Sequence, residues 1–125
     1  MPDTAPVEIT VETQFLPEQS EPGRSRYAFS YTITISNIGK ETVRLLNRHW
    51  IITDGDNQVQ EVHGEGVVGK QPLIEPGASF KYTSGAVIDT AVGTMEGSYE
   101  MISASGRPFI APINVFSLAQ PSALH

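Results

Sequence analysis

Three glycines, Gly64, Gly66 and Gly69, fall in a G-x-G-x-x-G pattern that runs straight into Lys70. Between a strand and a helix, such glycines let backbone N–H groups approach a phosphate at the helix N-terminus. Here Pro72 and Pro76 follow within a few residues and no helical periodicity begins, so the dinucleotide reading lacks its helix. The glycine spacing and the G-K-[S/T] ending of a P-loop are also missing. One reading keeps an anion nest of backbone amides, with Gly64, Gly66, Gly69, Lys70 and Arg48 as the candidate phosphate or nucleotide contacts. The plainer reading, preferred here, is that the glycines take positive φ or allow two chain segments to approach closely.

A second concentration of chemistry is Arg44 to Trp50, with two guanidinium groups, an imidazole and the only tryptophan. Strict alternation along a strand puts Arg44, Arg48 and Trp50 on one face and His49 on the other. Paired guanidinium groups suit a phosphate or carboxylate, whereas the simpler expectation places Trp50 in the core and Arg48 over a neighbour. Asp54, Asp56, His63 and Glu65 are the candidates for a metal. An EF-hand fails because Val59 stands at the sharp-turn position, and His63 has no second histidine at ligand spacing. His49 and His125 look unconnected to it, so neither metal nor cofactor is assigned. Ser84 sits in Thr-Ser-Gly without a nucleophile elbow, and no Ser, His and acid identify a triad, so no catalytic residue is assigned.

The elements that must position these residues read as strands. Val7, Ile9, Val11, Thr13 and Phe15 alternate with polar residues, and Tyr27, Phe29, Tyr31, Ile33 and Ile35 alternate with Ala28, Ser30, Thr32, Thr34 and Ser36. Residues 16–26 form a breaker-rich loop, and a turn at 37–40 leads into a strand over 42–53. The turn at 54–57 joins that strand to another over 58–63 as a hairpin. Beyond the glycine-rich stretch, 79–88 is a strand in which Gly85 permits a bulge or bend, 89–97 is a break, and 98–103 is a strand. The last strand, 109–118, is interrupted by Pro112. About eight strands with no helical window predict an all-β, antiparallel sandwich of immunoglobulin or fibronectin III type. The 125 residues make one domain with its core over about 7–118.

Eight Lys plus Arg against 14 Asp plus Glu give a formal net charge of -6, which argues against a grip on nucleic acid or an anionic membrane. The absence of cysteine removes disulfides and thiol chemistry. Neither a secretory leader nor a run of roughly 20 apolar residues is visible, so the expected location is cytoplasmic.

The segments 50–54, 62–69, 71–77, 82–85 and 93–101 include His63-Gly64-Glu65-Gly66-Val67-Val68-Gly69 and Gly93-Thr94-Met95-Glu96-Gly97-Ser98-Tyr99. Together they closely resemble the bacterial ApaG family along nearly the whole chain. Ala91 stands where a proline is common in that family, and Asn114 where the final strand often reads Ile-Pro. The resemblance implies a fibronectin III-like sandwich and a family-context link to cobalt and magnesium resistance and to diadenosine tetraphosphate metabolism. Related domains in eukaryotic F-box and polymerase-interacting proteins imply a protein-interaction module. The expectation is therefore a non-enzymatic binding module with a protein partner, or alternatively a phosphate, pyrophosphate or nucleotide binder using the loop at 64–69. Pairing of the edge at 7–15 into a homodimer is a further expectation.

Overall fold

A computed structural model describes residues 5–121, so His125 lies outside the described residues. The chain folds as two antiparallel sheets packed face to face. One sheet holds β1 (Val7–Phe15), β2 (Tyr27–Asn37) and β6 (Ser79–Ile88) in the order β1-β2-β6. The other runs β4-β3-β7-β8, with β3 at Val43–Asp54, β4 at Val59–Glu65, β7 at Val92–Ser103 and β8 at Pro108–Ala119. The two-residue β5, Leu73–Ile74, pairs with the start of β3. Two short 3-10 turns, Pro17–Gln19 and Pro22–Arg24, occupy the breaker-rich loop.

Alternation in β2 works as read from the sequence. Phe29, Tyr31, Ile33 and Ile35 enter the core, while Thr32 and Ser36 face outward and share hydroxyl hydrogen bonds with Thr83 and Ser79 of β6. Each such apolar side chain removed from water contributes roughly 1.5–3 kcal/mol before the entropy of ordering is subtracted. Trp50 packs edge-on across the sheets against Tyr31, with ring centroids 5.3 Å apart, and within its own sheet against Phe116 of β8 at 5.9 Å. The Tyr82 and Tyr99 hydroxyls join β6 to β7 by a hydrogen bond in the core. Burial pushes both phenols above their ordinary range, so they stay neutral.

Several sequence expectations need correction. The stretch 89–97 is not a break: β7 already starts at Val92. Its glycines instead mark close backbone approach, since a Cβ at Gly97 would meet the His49 carbonyl oxygen and one at Gly93 would lie 2.7 Å from the Thr53 carbonyl oxygen. Gly85 introduces no bulge, because β6 keeps an unshifted register with β2 throughout. Pro112 does not interrupt β8, which is an edge strand where a missing N–H need leave no ladder bond unmade. The register shifts fall elsewhere, between Leu45 and Asn47 and between Met95 and Gly97.

Candidate functional site

The β-bulge in β3 organises the site. Before it, Val43 and Leu45 point into the core; after it, Trp50 and Ile52 do. The extra residue switches the parity of the strand, so Arg44 does not share a face with Arg48 and Trp50 as strict alternation predicts. Trp50 is core, 2% exposed. Arg44 donates to the Gln71 carbonyl.

A bulge takes a residue out of its ladder, and here the Leu46 carbonyl is used by the glycine-rich segment. It accepts hydrogen bonds from the Gly66 N–H at 2.8 Å and the Gln71 side-chain amide at 2.9 Å. On this edge of β3, β4 pairs as far as Asn47 and β5 resumes at Arg44, with the segment 66–72 stepping across the gap. Part of the glycine-rich stretch is therefore regular, since Gly64 and Glu65 end β4 and Leu73–Ile74 is β5. Val67 and Ile74, 0% and 2% exposed, plug the segment into the core. Asn37 secures the far end, donating to the carbonyls of Glu41 and Ile74 and accepting from the Gly39 N–H.

The predicted contacts Gly64, Gly66, Gly69, Lys70 and Arg48 are all local to this segment. Arg48 lies over Gly64, its cross-strand partner, and its Nη1 donates to the carbonyls of Glu65 at 3.1 Å and Gly66 at 2.9 Å. Gly66 has φ +66° and packs on the Lys70 carbonyl. The Val67 and Lys70 N–H groups bond each other's carbonyls, closing a two-residue turn whose central residues, Val68 and Gly69, have φ of +44° and +79°. Positive φ at both central positions is the pattern of a type I′ turn, for which a β-branched first residue is unfavourable. Val68 and Leu73 are nonetheless held outward, 52% and 60% exposed. Lys70 is exposed beside them.

On the outer face of the same hairpin, the ladder pairs His49 with His63. Their rings stack 4.2 Å apart at 9°, and Glu61 reaches both, its Oε2 lying 2.7 Å from His49 Nε2 and 3.6 Å from His63 Nε2. The hydrogen bond from His49 is the main cause that holds the Glu61 carboxyl below its usual range. The two histidines look unconnected in sequence, yet the turn at 54–57 lies midway between them, and hairpin register is the signal that pairs them. A shallow depression of about 520 Å³ opens beside them, lined also by Gly64, Ser98, Glu100 and Ile110. Among the described residues no helix is long and apolar enough to cross a membrane.

Comparison with known proteins places this architecture. The family model described as the ApaG domain matches residues 17–103. The Protein ApaG of Dechloromonas aromatica is 58% identical over 119 residues, covering 95% of this chain and 94% of its own. That of Pseudomonas aeruginosa strain LESB58 shows the same identity and coverage. A crystal structure of an ApaA protein from Bordetella pertussis, 48% identical, superposes with a TM-score of 0.90 over 92% of this chain and 94% of its own. The chain belongs to the ApaG family.

Proposed function

We propose that this protein is a non-enzymatic protein-interaction module that offers the segment 64–77 to a protein partner. The observation that carries this reading is Val68, a β-branched residue at φ +44° whose side chain is turned to solvent while Val67 beside it is buried. Unfavourable backbone geometry persists where the surroundings enforce it and tends to mark binding surfaces. Leu73, on the adjoining β5, adds a second exposed aliphatic group on the same segment. On this reading the family-context links to cobalt and magnesium resistance and to diadenosine tetraphosphate metabolism act through the partner.

The alternative, a phosphate or nucleotide site at Gly64, Gly66 and Gly69, draws less support. The N–H groups of Gly66, Val67 and Lys70 donate within the chain, and Arg48 donates to backbone carbonyls. The exposed carboxylates of Glu61 and Glu65 also lie close by in β4.

Partners crosslinked in cells to wild type, Val68→Gly and Leu73→Ser are compared and the candidate is then purified. Binding by wild type that falls at least tenfold in both variants, with neither melting temperature lowered, is the expected outcome. A partner bound equally by all three chains overturns the assignment to this segment. Localised amide shifts at 64–70 with pyrophosphate or diadenosine tetraphosphate, without such a partner, favour the alternative.

A further inference from the structure

We propose that His49, Glu61 and His63 form a binding site for a late first-row divalent metal ion of the zinc type, on the outer face of the five-stranded sheet. Two imidazoles and one carboxylate are a donor set that zinc, nickel and copper accept, and three protein ligands leave one position open to solvent. The donor atoms already converge, all lying within 4.8 Å of one another. Convergence here is imposed by the fold: His49 and His63 are direct cross-strand partners, and Glu61 is two residues from His63 on the same face.

The side chains need only rotate, not the backbone. Their exposures of 31% for His49, 72% for His63 and 56% for Glu61 leave an entry path that requires no opening of the core. One proton lies in the hydrogen bond between His49 Nε2 and the Glu61 carboxylate. An arriving ion takes the place of that proton, binding deprotonated imidazole nitrogens and releasing the proton to solvent. The neighbouring depression, with Ser98 on its wall, leaves room for a water or small anion as the fourth ligand. A magnesium ion does not suit the site, because it demands an octahedral shell of oxygen ligands.

The test is a titration of the full chain, prepared without an added histidine tag, with Zn²⁺ followed by imidazole nitrogen shifts in NMR and by calorimetry. Expected are saturation at one ion per chain, shifts confined to His49 and His63, and no response to Mg²⁺ at the same concentration. His63→Asn and Glu61→Gln, both at exposed positions, are expected to weaken Zn²⁺ binding at least tenfold with melting temperatures unchanged. Zn²⁺ affinity unaltered in both variants, shifts centred on His125, or no saturable shift at tenfold excess each overturns the proposal.

Discussion

The Arg48 guanidinium lies against Gly64 so closely that a Cβ added there would stand 2.5 Å from Arg48 Cζ. Because Arg48 also ties down the carbonyls of Glu65 and Gly66, the bare glycine and the arginine work as one unit that fixes where the turn begins. Gly64→Ala is expected to displace the guanidinium and cost about 1–2 kcal/mol, and Arg48→Ala a similar amount through the lost hydrogen bonds. If they are one unit, the double variant costs about 1 kcal/mol less than the sum. Urea denaturation of the four chains measures the coupling, and strict additivity contradicts it.

The strand framework was legible wherever side-chain periodicity alone decides it, as in β1 and β2, where one face is buried and the other is not. Glycines misled because their role depends on what approaches them. Gly93 and Gly97 read as a break, yet they admit the backbone of β3, a tertiary fact that no local pattern carries. Parity along β3 failed for a related reason, since the bulge at Leu46 reflects the meeting of β4, β5 and the segment between them. The glycine-rich segment stood out by composition, whereas the histidine pair required the hairpin register to be followed through to its cross-strand neighbours.

Within the turn, Gly66 and Lys70 are close in space but unequal in consequence. A Cβ at Gly66 would collide with the Lys70 carbonyl oxygen, and φ +66° is strained for any branched side chain. Gly66→Val is expected to destabilise the fold by about 3 kcal/mol, while Lys70→Ala, which removes only an exposed side chain, stays within about 0.5 kcal/mol. Equal melting temperatures for wild type and Gly66→Val would refute the conformational role given to this glycine.

Val68 sets stability against function at a single position. Glycine adopts φ +44° without the steric cost that valine bears, and no core contact is lost because the Val68 side chain is half exposed and lies outside the hydrophobic core. Relief of strain of about 1–2 kcal/mol exceeds the entropy that an extra glycine costs on folding, about 0.5–1 kcal/mol. Val68→Gly is therefore expected to raise the melting temperature by about 3 °C while removing the aliphatic group proposed to meet the partner. A melting temperature lowered by the substitution would mean that valine at this turn supports the fold, and the case for its retention as a binding feature would lose its basis.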